Sequence, residues 1–290
     1  ANFEFFRANT TAIAGTAQAL GPDGSCLVRY EVRPATPVYP SGRTYIEEIQ
    51  NFANWFTYYR KRHQAMRGGI TAAFDQINGV RMGRFTINNR QPVTMRSLTD
   101  DRVGVLDSIF DARGTGGTPL RESLDYMGRQ FERNDANAPI TNSCQKNYGI
   151  AFTDGFSNGS TPGVTGDGDL NAGVPYADTI ANTMGDIAIT YYENLNVSGF
   201  GTENVPTPIA CNDANPDPIL DCNSDLHMNT FAITLNARGT IFGVTHNTSQ
   251  DAHDNPPPRP NGTPAGNTPF ATRSPLAVDD LYHASVNGRG

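Results

Sequence analysis

The stretch Tyr148-Gly149-Ile150-Ala151-Phe152-Thr153-Asp154-Gly155 decides the reading of the fold. Its apolar run has the length and composition of a buried strand, and Asp-Gly ends it as a turn, leaving a carboxylate at the strand's carboxyl end. Downstream, a Gly-rich loop over 156–175 leads into a helical pattern through Ile180, Met184, Ile187, Tyr191 and Leu195. His227 to Leu235 is a further strand, and Asp279 to Ala284 predicts a short terminal helix. Upstream, Thr118 is placed to cap a helix whose first position is Pro119 and whose buried stripe is Leu120, Leu124, Met127 and Phe131. Val103 to Phe110 predicts another helix, and the alternation of Val80 to Ile87 predicts a strand.

Farther upstream, Thr44-Tyr45-Ile46-Glu47 has the form of a capping box. Ile46, Ile49, Phe52, Phe56, His63, Met66, Ile70 and Phe74 follow at helical spacing. They predict one long amphipathic helix that reaches Gly79, kinked at Gly68-Gly69. Helix alternates with strand, so the expected class is α/β, a mostly parallel sheet with helices on both faces. Sites in such folds gather at the carboxyl ends of the strands. Residues 1–43 carry turn signals and few periodic patterns, and are expected to be an irregular extension or insertion with at most short strands. Residues 44–290 are expected to be the α/β domain, with insertions at about 156–175, 198–226 and 246–275.

With 29 glycines, 20 prolines and 37% hydrophobic residues, the composition is that of a folded core carrying long, turn-rich loops. The formal net charge is −7, and no basic cluster extends beyond Arg60-Lys61-Arg62, which argues against a nucleic-acid partner. No apolar run is long enough to cross a membrane, and Ala1 to Arg7 lacks the pattern of a signal peptide. The four cysteines, Cys26, Cys144, Cys211 and Cys222, contain no Cys-x-x-Cys pair, which favours disulfides over metal and an oxidising compartment. Three pairings are possible; the short loop favours Cys211–Cys222, leaving Cys26–Cys144.

Three groups of residues have the chemistry of a site. Asp154 ends a strand where open α/β folds bind ligands, and Thr118 lies in a glycine-rich loop. Together they offer oxygens suited to Mg²⁺ or Ca²⁺; separately, they read as a turn aspartate and a helix cap. Asp167, Asp169, Asn171 and Asp178 match the oxygen positions of an EF-hand-like calcium loop, although Ala172 stands where the sharp turn wants glycine. Gly155-Phe156-Ser157-Asn158-Gly159 fits Gly-x-Ser-x-Gly, but the chain continues as loop where a nucleophile elbow requires a helix, which disfavours a secreted serine hydrolase using Ser157. The five histidines form no His-x-x-x-His pair. Trp55, Tyr58 and Tyr59 read either as packing or as a binding surface.

Glu47 to Arg60, with its Asn51-Phe52-Ala53-Asn54-Trp55 core, resembles the corresponding helix of the PilY/PilC family of type IV pilus tip-associated adhesins. Gly116 to Arg121, Cys144 to Tyr148 with Thr153-Asp154-Gly155, Tyr176 to Thr179, and Asp279 to Gly290 resemble that family in the same order. The resemblance implies a Rossmann-like von Willebrand factor A domain and a C-terminal propeller beyond it. It implies a non-enzymatic role in pilus assembly and adhesion, with minor pilins and host-cell or abiotic surfaces as partners. The implied location is extracellular, at the pilus tip or outer-membrane surface. It also makes Thr118 and Asp154 the second and third parts of a metal-ion-dependent adhesion site for Mg²⁺ or Ca²⁺. The first part, Asp-x-Ser-x-Ser, does not occur in these residues, so the expectation is a domain cut at both ends. A structural, tension-bearing module is the remaining alternative.

Overall fold

Tyr148–Thr153 and Asn229–Thr234 pair as parallel strands, in register from Tyr148 opposite Asn229 to Thr153 opposite Thr234. The computed structural model that shows this pairing describes residues 3–9, 18–20, 26–35, 39–158, 165–173, 176–178, 180–235, 239 and 274–290. Its contacts divide the chain into two compact units, residues 1–69 and 70–290. The expected insertion at 246–275 lies almost wholly outside the described residues.

In the first unit, β1 (Phe3–Asn9), β2 (Gln18–Leu20) and β3 (Cys26–Val32) form an antiparallel sheet in the order β1-β3-β2. The turn signals there predict at most short strands, whereas β1 and β3 each run seven residues, paired along their whole length. Pairing across a hairpin-like return supplies the hydrogen bonds that single-strand patterns cannot forecast. Helix α1 (Tyr45–Tyr58) begins at the predicted capping box, with Thr44 and Glu47 each satisfying the other's backbone N–H.

The long helix is broken, but at residues 59–61 and not at the glycine pair 68–69. Between α1 and α2 (Arg62–Phe74), the Gln64 side chain accepts from the Lys61 N–H at 3.2 Å and donates to the Thr57 carbonyl at 2.9 Å. One side chain thereby satisfies backbone groups that a continuous helix would have paired, after a run of poor helix formers, Thr57-Tyr58-Tyr59. Gly68 and Gly69 lie inside α2.

In the second unit, the alternation at 80–87 gives a two-residue strand, β4 (Arg81–Met82), paired antiparallel with β5 (Arg96–Ser97), and a single bridge between Thr86 and Asn89. Helices α3 (Arg102–Asp111) and α4 (Leu120–Phe131) follow. Thr118 is not the cap of α4: that position is Pro119, without a side-chain hydrogen bond. The strands quoted at the outset are β6 and β7, and α5 (Met184–Glu193) lies between them in sequence. Helix α6 (Leu276–Asn287) is twice the predicted length.

Leu120 and Leu124 of α4, Met184, Ile187, Ala188 and Tyr191 of α5, Met228, and Leu281 and Ala284 of α6 make one buried cluster. The chain after α6 closes on β7: the Thr230 N–H donates to the Gly288 carbonyl at 3.1 Å. A Cβ at Gly288 would lie 2.5 Å from that of Thr230, so this contact requires glycine.

The class is thus mixed helix and strand with a small parallel sheet, narrower than the mostly parallel sheet predicted. Among the described residues only two of the apolar runs pair in parallel. Tyr148, Ile150, Phe231 and Ile233 remain exposed on these two strands, although parallel sheets are ordinarily covered on both faces.

Candidate functional site

A buried cluster of carboxylates surrounds His283, where the loop of residues 165–178 meets the start of α5 and the inner face of α6. Asp169, Asp178, Asp186, Asp280, His283 and Asn287 are all at most 3% exposed. Burying a carboxylate costs several kcal/mol unless hydrogen bonds or charges replace its water. Three of the four aspartates are supplied with donors on both sides of the carboxylate or at a helix terminus.

Asp186 completes a capping box at the start of α5. Its Oδ2 accepts from the Thr183 N–H at 2.7 Å and hydroxyl at 2.8 Å, while its Oδ1 accepts from the Gly168 N–H at 2.7 Å. Asp280 of α6 accepts from the Met184 N–H at 3.0 Å and the Gly185 N–H at 3.3 Å. Its negative charge thus meets the positive end of the α5 dipole. Buried Arg121 of α4 also interacts with it electrostatically. Asp169 accepts from the Asp178 N–H at 2.9 Å and from the Asn287 side-chain amide at 2.8 Å.

Asp178 is different. Its Oδ1 accepts from the Ile180 N–H at 2.6 Å, but its Oδ2 has no hydrogen-bond partner among the described residues. Opposite it, at 3.4 Å, stands His283 Nδ1, which also lacks a partner there. His283 Nε2 lies 2.6 Å from the Tyr176 carbonyl and 3.4 Å from Asp169 Oδ2. A carbonyl only accepts, so Nε2 carries a proton and donates.

Burial governs the acidities. It pushes Asp169 and Asp280 each up to about 6 and raises Asp186 as well. On His283 burial acts downward but is outweighed by Asp178, the Tyr176 carbonyl, Asp169 and Asp280, so its pKa is raised. The cluster can hold cations or protons, and it ties a loop to two helices.

The structure places the sequence candidates unevenly. Asp167, Asp169 and Asp186 bring carboxylate oxygens within 4.8 Å of one another, as do Asp169 and Asp178 with His283. Asn171, the fifth position of the calcium pattern, is exposed. Asp154 belongs to neither group. The loops of Thr118 and Asp154 do meet: Asn158 Oδ1 accepts from the Thr118 N–H, and the Asn158 N–H donates to the Thr118 carbonyl, both at 2.8 Å. Ser157 is buried at 5% exposure, in loop, whereas an elbow nucleophile must reach solvent.

Sequence spacing misses Asp186, Asp280, His283 and Asn287. A signal was present for one of them, since Thr183 precedes Asp186 by the capping-box interval. The others lie about a hundred positions from the loop they meet.

Cys211 and Cys222 form a disulfide. It closes the loop that Tyr192 of α5 anchors through Asp221, 3.1 Å away. Cys144 is free and exposed, on a surface turn of the second unit. The Cys26 side chain, its expected partner, lies outside the described residues. Along α1, Trp55 and Tyr58 are 50% and 60% exposed, and Tyr59 is exposed beside them, so these rings are surface and not core.

No family model matches the chain, and no solved structure does either. The chain is similar to the type IV pilus biogenesis factor PilY1 of Pseudomonas aeruginosa. It is 26% identical to that of strain UCBPP-PA14 over 303 residues, covering 89% of this chain and 25% of the relative. Against that of strain PAK it is 24% identical over 316 residues, covering 92% and 25%. The chain therefore spans about a quarter of the length of these relatives. No helix among the described residues is long and apolar enough to cross a membrane. Similarity to PilY1 proteins over 84% to 92% of the chain supports its resemblance to the PilY/PilC family.

Proposed function

We propose that this chain is a non-enzymatic module of a type IV pilus biogenesis factor, acting outside the cell in pilus assembly and attachment. The observation that carries this reading is the similarity to PilY1 proteins over 84% to 92% of the chain. The finer reading is a von Willebrand factor A-like domain that engages minor pilins at the pilus tip and host or abiotic surfaces, with a propeller domain beyond it. The order of motifs and the mixed α/β architecture support it. Exposed Trp55 and Tyr58 on α1, with Tyr59 at its C-cap, offer large, rigid side chains of the kind that anchor protein interfaces.

In this reading Thr118 and Asp154 contribute to a Mg²⁺ or Ca²⁺ adhesion site, and Asp167 and its neighbours support a second cation. The disulfide favours an added tension-bearing role, because the 11-residue separation of Cys211 and Cys222 limits how far that loop extends under load.

The test is binding of the purified chain to immobilised minor pilins, paired with pilus counts in a strain whose gene lacks this segment. Saturable binding that Trp55→Ala weakens, with few surface pili on the deletion strain, is the expected result. Normal piliation without any pilin binding would refute the proposal. Loss of binding in chelator and in Asp154→Ala assigns the cation to the interface; persistence in both removes that part.

A further inference from the structure

We propose that Asp178, His283 and Asp169 form a binding site for one transition-metal dication of the zinc type, which staples the 165–178 loop to α6. The inference does not depend on the adhesion reading; it takes Asp169 and Asp178 from the calcium pattern and assigns them, with His283, to a different ion. It rests on two buried atoms that face each other across 3.4 Å, neither with a hydrogen-bond partner among the described residues.

His283 is fully buried, and its Nε2 is committed to the Tyr176 carbonyl at 2.6 Å. That hydrogen bond fixes the tautomer and turns Nδ1 into the free nitrogen, the arrangement that metal-binding histidines adopt. Nδ1 lies 3.4 Å from Asp178 Oδ2, and neither atom has a hydrogen-bond partner among the described residues. A charge-assisted N–H···O bond closes to about 2.7–2.9 Å. Two ligands on one tetrahedral Zn²⁺, with bonds of about 2.0 Å, stand roughly 3.3 Å apart. The observed gap fits a shared metal better than a direct bond.

Asp169 is the nearest further carboxylate: its Oδ2 lies 3.4 Å from His283 Nε2, and one of its oxygens, one of Asp178 and one imidazole nitrogen lie within 4.8 Å of one another. Asn287 orients Asp169 from behind through its 2.8 Å hydrogen bond, and its own Oδ1 is a further buried atom without a partner among the described residues. Asp186 and Asp280 bring more negative charge to this part of the core. Arg121 of α4 interacts electrostatically with Asp280.

The donor set selects the ion. Calcium takes six to eight oxygens and magnesium keeps much of its water, whereas one imidazole with two carboxylates in a dry pocket suits zinc and its neighbours. Gly185 borders the site: a Cβ there would lie 2.8 Å from His283 Nδ1, so glycine keeps that nitrogen accessible.

The experiment strips the full chain with chelator, dialyses it against Zn²⁺ and counts bound metal by mass spectrometry. One equivalent is expected, retained against a hundredfold excess of Ca²⁺ and Mg²⁺, with a rise in melting temperature. Asp178→Asn, whose amide can donate to Nδ1, should fold without metal and weaken binding more than about 100-fold, beyond the loss typical of outer-shell partners. Wild-type protein with less than about a fifth of an equivalent overturns the proposal, as does Asp178→Asn binding Zn²⁺ like wild type. Histidine ¹⁵N spectra of the wild-type protein decide the matter without any variant. A zinc-induced shift at His283 Nδ1 supports the site, and a shift at another histidine alone sinks it.

Discussion

Two acid-bearing loops follow closely after β6, and they meet opposite fates. Asp154 and Thr118 stay at half-buried positions, where Asn158 and backbone groups join their loops. Asp169 and Asp178, a short way along the chain, are carried into the core with His283, Asp186 and Asp280. The first loop can exchange its water freely, so it costs little and can meet an external ligand. The second must have every charge answered from within, so its residues are matched to two helices and tolerate little change. A surface loop suits recognition, and a buried charge cluster suits holding a fold in one arrangement.

The sharpest way to break this contrast is Asp280→Ala. It leaves the Met184 and Gly185 N–H groups without their acceptor at the start of α5, and should cost about 3 kcal/mol or more. Thermal unfolding of the variant beside Asp154→Ala reads the difference; equal losses would end the distinction between the loops.

Glycines sharpen it next. Gly185→Ala would press a methyl to 2.8 Å from His283 Nδ1, inside a closed cluster, and should cost about 1–3 kcal/mol. Gly117→Ala meets Asn158 Oδ1 at 2.6 Å, and that amide can shift only by giving up its hydrogen bond from the Thr118 N–H, in a half-buried loop, for a cost of about 1 kcal/mol. Denaturant midpoints of the two variants rank them.

The pH response separates the loops further. Burial raises Asp280 from 3.8 to about 6, so the folded state holds this proton more tightly than the unfolded chain does. The stability it contributes is full below 3.8 and is lost as pH rises through about 6. His283, also raised, acts in the same direction at higher pH, while Asp221, whose pKa is lowered, acts in the opposite one. In excess chelator, the stability of wild type relative to Asp280→Asn should therefore fall between about pH 4 and pH 7. A flat difference measured by denaturant titration across that range would refute the assignment. The smallest effect is Asp154→Ala, expected within about 1 kcal/mol for a half-buried loop position.

Much of the local architecture could be read from neighbouring residues. The capping box at Thr44 and Glu47, the α4 stripe from Leu120 to Phe131 and the limits of β6 and β7 each follow from residues a few positions apart. So does the Cys211–Cys222 pairing, whose loop is short. The long helix was misread because Gln64 replaces backbone bonds with side-chain ones, which apolar periodicity does not register. Parallel pairing was over-read for a related reason: a strand pattern states what a segment can do, not which partner it finds.

The buried cluster shows the limit most clearly. The spacing of Asp167, Asp169 and Asp178 pointed to a cation site, yet the calcium pattern chose exposed Asn171 in place of His283. Asn287 reaches Asp169 across 118 positions, His283 reaches Tyr176 across 107, and Asp280 reaches Met184 across 96. The sequence by itself determined most helices, the two parallel strands and which residues carry charge. Only the tertiary structure decided which charges are buried together, because a carboxylate enters the core only where a helix terminus, an imidazole or an amide has already been brought to meet it.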